Sequence, residues 1–131
     1  MPLPVLVGIS GATGVIYAVE LLRALKQLGQ PVHLIVSEMG ARTLAIETDL
    51  SLDDLRGLAD VTYSNKDLAA AVSGGSFRTA GMVIAPCSVK TLSGIANSFS
   101  VNLMIRAADV TLKERRPLVL LFRETPLHAG H

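Results

Sequence analysis

Charged side chains that could bind an anionic ligand or transfer protons are concentrated near the end of the sequence. Arg106 and Lys113 are seven residues apart on a predicted helix, about two turns, so they share a face and could clamp an anion. Arg123 and Glu124 follow Leu118–Phe122, an apolar run typical of a parallel strand covered on both faces. Because ligands of open α/β sheets lie beyond the carboxyl ends of the strands, we expect Arg123 and Glu124 to face a ligand crevice.

A second group of candidate residues follows the first predicted strand. The sequence Gly-Ile-Ser-Gly-Ala-Thr-Gly, residues 8–14, joins that strand to a helix that runs to about Leu28. Glycines there let the backbone approach an anion, and the helix N-terminus adds partial positive charge. The spacing matches neither G-x-G-x-x-G nor a Walker A motif. Two interpretations therefore stay open, phosphate binding and a tight strand-to-helix turn.

A third group follows the strand predicted at residues 82–85. The sequence Pro-Cys-Ser-Val-Lys-Thr, residues 86–91, offers two hydroxyls, a lysine and exposed amides at another helix start. Taken alone, these residues favour a simpler interpretation, in which Ser88 caps the helix and Lys90 is solvated. Cys87 is expected to be a buried small hydrophobe, because no histidine that could activate it lies nearby in the sequence.

Strands and helices that position these groups alternate along the chain. Strands are predicted at residues 5–9, 31–36, 61–63, 82–85 and 118–122. Helices are predicted at residues 15–28, 39–46, 53–58 and 67–72 and over much of 88–116, with a flexible loop at 73–76. Such alternation predicts an α/β domain in three layers, a doubly wound parallel sheet with helices on both faces.

Composition argues against several classes of protein. The 131 residues are enough for one domain with a single core, and a net charge of +1 argues against a nucleic-acid surface. No apolar run approaches the roughly 20 residues of a membrane span, and the N-terminus has no basic segment of a signal peptide. The single cysteine fits a reducing, cytoplasmic compartment. Three scattered histidines do not form a metal-ligand pattern, so no metal is expected.

Four segments carry a resemblance to a known family. In order along nearly the whole chain they read GISGATGVIYAVELL, SEMG with AIETD, SGGSFRTAGMVIAPCSVKTLSGIA, and NLMIRAADVTLKERRPLVLLFRETPL. On these segments the sequence resembles the flavin prenyltransferases of the ubiquinone pathway, also described as the small subunit of aromatic-acid decarboxylases. The resemblance implies a flavodoxin-like or Rossmann-like flavoprotein fold.

The resemblance also implies an activity. The family transfers a dimethylallyl group, without a metal, from dimethylallyl monophosphate to N5 and C6 of reduced FMN, so FMN is a substrate. The product, prenylated FMN, is the cofactor of a partner decarboxylase. Members assemble as large homo-oligomers, dodecamers, with flavin sites near subunit contacts.

Residue roles are implied by position within the matching motifs. FMN is expected to contact Gly11, Ala12, Thr13, Ser37, Ser88, Val89, Lys90, Thr91 and Arg123. The prenyl phosphate is expected to be surrounded by Arg106, Lys113, Arg123 and Glu124. The residues implied in catalysis are Glu47, Thr13, Lys113 and Glu124, with Glu47 managing protons as the second bond forms. By its chemistry alone, Glu47 is either a cleft carboxylate or an ordinary surface one.

The sequence departs from the family in three respects. Thr13 and Gly74 stand where the family usually has serine; Thr13 keeps the hydroxyl but gains a methyl that restricts its rotamers. Members continue beyond the RETPL segment, so the sequence is expected to lack the family's C-terminal region. Two alternatives stay open, an FMN-binding module or inactive remnant, and a cysteine decarboxylase of the same superfamily. The second would carry a histidine soon after the first helix, and residues 2–30 contain none.

Overall fold

Five parallel strands form one sheet in the computed structural model, which describes residues 2–131. The strands are β1 (Val5–Ile9), β2 (Val32–Val36), β3 (Val61–Ser64), β4 (Gly81–Cys87) and β5 (Leu118–Phe122). Their order is β3-β2-β1-β4-β5, with every neighbouring pair parallel. This is the strand order of the Rossmann type of doubly wound sheet, and it reverses direction between β1 and β4.

The connections between strands are helical. They contain α1 (Val15–Gln27), α2 (Glu38–Glu47), α3 (Leu52–Arg56), α4 (Val89–Ala96) and α5 (Leu103–Lys113), with a 3₁₀ turn at Ala71–Ser73. Among the described residues, no helix combines the length and the apolar character that crossing a membrane requires. The predicted three-layer α/β architecture is confirmed.

The sheet separates two apolar cores. On one face α1 buries Val15, Ala18, Val19 and Leu22, a spacing of three and four residues that keeps them on one side of the helix. That core also contains inward side chains of β1 and β2 and residues of α2 and α3. On the other face α4, α5 and the 3₁₀ turn pack on β1, β2 and β4. Each core holds the sheet fixed from its own side.

Glycines set both ends of α1. Gly14 before the helix has φ of 94°, and Gly29 after it has φ of 72°. Only glycine adopts these left-handed conformations without a steric penalty. The predicted helix that runs to about Leu28 and ends at Gly29 is therefore confirmed.

The helix predicted at residues 67–72 is wrong. The Asp67 carboxylate accepts the N–H of Ala69 at 3.1 Å, and the Asp67 carbonyl accepts the N–H of Ala70 at 3.3 Å. An aspartate that binds backbone two residues ahead offers the chain an alternative to helix, so this segment forms a turn. Only Ala71–Ser73 reaches a 3₁₀ conformation.

Two strand predictions also need correction. β4 was expected to end before Pro86 but continues through it to Cys87, with a register shift against β5 between Ile84 and Cys87. β5 is an edge strand, and only its Leu118 and Leu120 side chains pack on a core. Val119, on the opposite face, is 57% exposed, so residues 2–131 cover this strand on one face and not on both.

The loop at residues 73–76, predicted to be flexible, is held by arginine side chains, Arg106 of α5 and Arg116 just after that helix. Arg116 donates to the carbonyls of Gly75 at 2.9 Å and Phe77 at 3.0 Å. Arg106 donates from Nε to the Ser73 carbonyl at 3.3 Å. These hydrogen bonds fasten the loop to α5 and to the segment that joins α5 to β5.

Candidate functional site

Three loops that follow strands meet in one pocket where the strand order reverses. Its volume is about 690 Å³, within the range usual for small-molecule sites. The lining residues are Gly11, Ala12 and Thr13 after β1, Ser88, Val89 and Lys90 after β4, and Phe122, Arg123, Glu124 and Thr125 at the end of β5. We call this the first pocket. It brings together most of the residues predicted to bind FMN, and it lies at the reversal point where ligands of such sheets bind.

Ser10 joins the ends of β1 and β4. Its hydroxyl donates to the Pro86 carbonyl at 2.7 Å and accepts the Ser88 N–H at 2.9 Å. The Ser10 N–H also donates to the Pro86 carbonyl at 3.2 Å, and the residue is only 2% exposed. Sequence reasoning assigned Ser10 no role, although a polar residue directly after a buried strand was the available signal. Its hydrogen bonds fix where α4 begins.

A second pocket of about 580 Å³ adjoins the first through Gly11, Ser88 and Lys90. It also contains the predicted FMN residues Ser37 and Thr91. The lining also includes residues that were not predicted, among them Glu38, Asn65, Lys66, Asn102 and Met104. Together the two pockets form one cleft along the carboxyl edge of the sheet.

The N-termini of α2 and α4 both point into the second pocket. Ser37 caps α2 by accepting the Gly40 N–H at 2.9 Å, and Ser88 caps α4 by accepting the Thr91 N–H at 3.2 Å. Within residues 2–131, the first two amides of each helix have no hydrogen-bond acceptor. Glu38, also in the lining, pairs with Lys66 at 2.8 Å. The two positive helix ends and the Lys90 ammonium are left over from that pair and give this pocket the chemistry of an anion site.

The N-terminus of α1 is already bound by a carboxylate of the chain itself. One oxygen of the Glu47 carboxylate accepts the N–H groups of Gly14 and Val15, each at 3.1 Å. Glu47 is the last residue of α2 and lines neither of the two pockets. Of the two interpretations left open for residues 8–14, the geometry favours the strand-to-helix turn.

Arg123 leaves β5 and enters the first pocket with its guanidinium unpaired. In the described part of the chain its side chain makes no hydrogen bond or ion pair, and its Cζ lies 5.3 Å from the centroid of the Tyr17 ring. Glu124 is the acidic residue of the first pocket's lining. The expectation that these two residues face a crevice is confirmed.

Arg106 and Lys113 do not reach this crevice. α5 begins at the carboxyl edge of the sheet, where the Leu103 N–H donates to the Asn65 carbonyl, and ends before β5 starts at the opposite edge. Its eleven residues span about 16 Å, so Lys113 lies far from the pockets. Arg106 is exposed and turned toward Ser73. Within one copy of the chain, the predicted clamp does not join Arg123 and Glu124.

Cys87 is fully buried beneath the start of α4, as expected for a small hydrophobe. Burial raises the pKa of its thiol to about 11, because the thiolate would lose its hydration. A neutral, inaccessible thiol is a poor nucleophile.

Known proteins are similar to this chain in both sequence and fold. The sequence matches the flavoprotein family over residues 2–129. It is 57% identical over 127 residues to the flavin prenyltransferase UbiX of Thauera aromatica, a match covering 97% of this chain and 66% of that protein. The crystal structure of AnUbiX (PadA1) in complex with FMN and dimethylallyl pyrophosphate gives a TM-score of 0.97 at 44% identity, covering 98% of this chain and 69% of that one. A dodecameric FMN-dependent UbiX-like decarboxylase from Escherichia coli O157:H7 gives 0.94 at 46% identity, covering 96% and 69%.

The chain spans about two thirds of the length of the curated relatives it matches. The family match includes all three segments that line the first pocket. Identity above half, over nearly every described residue, extends the likeness well beyond the fold. This chain belongs to the flavoprotein family and, within it, to the flavin prenyltransferases of the UbiX type.

Proposed function

We propose that this chain transfers a dimethylallyl group from dimethylallyl monophosphate to N5 and C6 of reduced FMN. The observation that carries the proposal is the meeting of three strand exits in the first pocket, beside a second pocket suited to an anion. Relatives named flavin prenyltransferase, and the AnUbiX crystal with FMN and dimethylallyl pyrophosphate, support it. The prenylated FMN would then serve a partner decarboxylase.

The phosphate of FMN fits the second pocket. Ser37, Ser88 and Thr91 supply hydroxyls there, and the open amides of α2 and α4 supply backbone donors. Lys90 lines both pockets and adds a positive charge between them. The N-terminus of α1 could also attract a phosphate, but Glu47 already binds its amides. The phosphate of FMN is therefore expected at the N-termini of α2 and α4.

The flavin ring fits the first pocket. Gly11 and Ala12 present backbone without bulky side chains, while Val89 and Phe122 supply apolar walls. A Cβ on Gly11 would collide with Cβ of Met39, so glycine lets α2 approach the loop closely. A flat, partly apolar ring with polar edges matches this lining.

The proposed reaction needs a leaving-group stabiliser and a base. The C–O bond to phosphate breaks as a C–N bond forms at N5, which gives up its N–H proton. Ring closure then joins C6 to the prenyl double bond: that π bond is consumed as its other carbon takes up a proton, and C6 loses its own proton, so only the N5 proton is released overall. Arg123, with its donors unengaged, can stabilise the charge that develops on the departing oxygen. Glu124 lines the same pocket, so it and the released phosphate are the candidates to accept the N5 proton and to deliver and remove the protons of ring closure.

Arg106 and Lys113 could serve the prenyl phosphate only from a neighbouring copy. Both are exposed on α5, away from the pockets of their own chain. We propose that the chain forms a homo-oligomer in which these two residues complete the site of another subunit. The dodecameric relative from Escherichia coli O157:H7 supports an oligomer of this kind.

The decisive experiment is the mass of the flavin after anaerobic incubation of the chain with reduced FMN and dimethylallyl monophosphate. We expect flavin carrying one added five-carbon prenyl unit, with inorganic phosphate released in equal amount. Arg123→Ala should abolish most of this product, and Arg78→Ala, an exposed arginine away from the pockets, should not. Bound but unmodified FMN would favour the alternative of a binding module, and no bound FMN would reject the site.

A further inference from the structure

We propose that Tyr17 is a positioning residue that holds the Arg123 guanidinium at the mouth of the first pocket. The proposal rests on the proposed function, because it assigns the work of Arg123 to that site. Tyr17 lies on the first turn of α1 and does not itself line the pocket.

The ring and the guanidinium meet over Gly14. Arg123 Cζ lies 5.3 Å from the Tyr17 ring centroid, within the range of a cation–π contact. A Cβ placed on Gly14 would come within 3.1 Å of the Tyr17 ring and 3.2 Å of Arg123 Nε. Gly14 also has φ of 94°, so its lack of a side chain serves both the turn and this contact.

Arg123 has no other side-chain partner among residues 2–131. Glu20, three residues after Tyr17 on α1, pairs with Arg23 at 3.2 Å, and Glu47 binds the Gly14 and Val15 amides. A carboxylate partner would occupy guanidinium donors, whereas an aromatic face attracts the cation and leaves all its N–H groups free. Tyr17 therefore restricts Arg123 without competing with a ligand for its donors.

This arrangement predicts which changes matter at position 17. Tyr17→Phe keeps the ring and should leave FMN affinity within about twofold of the parent. Tyr17→Leu removes the ring and should weaken FMN binding roughly two- to fivefold, the effect of an exposed cation–π contact. Ile16→Ala is the matched control, because Ile16 is a similarly exposed neighbour on α1 that has no aromatic ring.

A double-mutant cycle separates positioning from a general structural effect. If Tyr17 acts through Arg123, Tyr17→Leu should cost nothing further in an Arg123→Ala background. Losses that add, or a Tyr17→Leu variant with the parent's affinity beside a weakened Arg123→Ala, would overturn the proposal while leaving the proposed function standing.

A second readout does not depend on flavin. The Nε–H resonance of Arg123 should carry a ring-current shift in the parent and in Tyr17→Phe, and lose it in Tyr17→Leu. If the parent fails to bind FMN but shows this shift, the positioning contact stands and the proposed function fails. If the shift is absent from the parent, the positioning proposal is rejected.

Discussion

The Ser10 hydroxyl accepts the N–H of Ser88 at 2.9 Å while donating to the carbonyl of Pro86 at 2.7 Å, so one buried side chain connects β1 to both ends of the β4–α4 junction. This connection lies where the two pockets meet, because Ser88 lines both pockets and Ser10 lines the second. Stability and ligand binding should therefore change together at Ser10.

Ser10→Ala should lower the free energy of unfolding by about 1–3 kcal/mol, because the Ser88 N–H loses its acceptor and the Pro86 carbonyl loses one of its two donors. Urea unfolding followed by circular dichroism measures the loss. FMN affinity should fall in the same variant. The exposed Ser76→Ala serves as control and should change stability by less than about 0.5 kcal/mol. A Ser10→Ala protein as stable as this control would contradict the prediction.

Glu47→Ala should destabilise the chain by about 0.5–2 kcal/mol, since the first amides of α1 lose their acceptor. Glu47→Gln keeps an acceptor oxygen and should retain most of that stability. The role of Glu47 in proton handling stays a prediction, and slow turnover in a stable Glu47→Gln protein would support it. Glu20→Ala, at an exposed carboxylate later on α1, is the control.

Lys90→Ala should weaken FMN binding about tenfold or more, the value of a hydrogen bond to a charged group, because Lys90 lines the pocket assigned to the phosphate. Riboflavin lacks the phosphate, so its affinity should hardly change. Fluorescence titration with both flavins gives the comparison. Equal losses for FMN and riboflavin would mean that the phosphate lies elsewhere.

Arg123→Ala and Lys113→Ala should each slow prenyl transfer alone and regain activity when mixed. The reason is that Lys113 lies about 16 Å along α5 from the pocket edge of its own chain, so a mixed oligomer can assemble one intact site from two damaged subunits. The measurement is the rate of prenylated-flavin formation after co-refolding. A mixture no faster than either variant would show that the residues act in the same copy or that Lys113 has no such role.

The Cys87 thiol should make stability depend on alkaline pH. Its folded pKa of about 11 exceeds its ordinary value of 9.0, so the folded chain holds this proton more tightly. Its contribution is complete below pH 9, decreases as pH rises from 9 to 11, and is then constant. Unfolding free energies of the parent and Cys87→Ala, measured across that window, should converge as pH rises. Parallel curves would indicate a thiol with an ordinary pKa.

Much of the fold could be predicted because burial imposes simple patterns. Leu118–Phe122 and Val5–Ile9 are continuous apolar runs, and both are strands with the predicted bounds. α1 follows from helical spacing and from Gly29. The wrong helix prediction at residues 67–72 shows where such patterns are insufficient. This segment has no strong helical spacing of apolar residues, and the Asp67 side chain binds the Ala69 N–H and favours a turn.

The site was predictable wherever it depends on strand ends. Gly11–Thr13, Ser88–Lys90 and Arg123 all follow strands of a parallel sheet, so their meeting at one edge follows from topology alone. The direction in which a helix face points does not follow from topology. Arg106 and Lys113 were correctly placed on the same helix, but tertiary packing turns them away from the crevice. The capping role of Glu47 was equally invisible, because it joins residues 33 positions apart.

The two pockets differ in whether their lining residues also belong to an apolar core. None of the residues that line the first pocket belongs to either apolar core, whereas Met104 and Ile105 of the second pocket are core residues. Re-engineering for flavin analogues should therefore begin at the ring end, where substitutions such as Ala12 or Val89 to other small residues leave the interior packing intact. At the phosphate end, changes at Met104 or Ile105 would disturb the core and should lower stability together with any change in specificity.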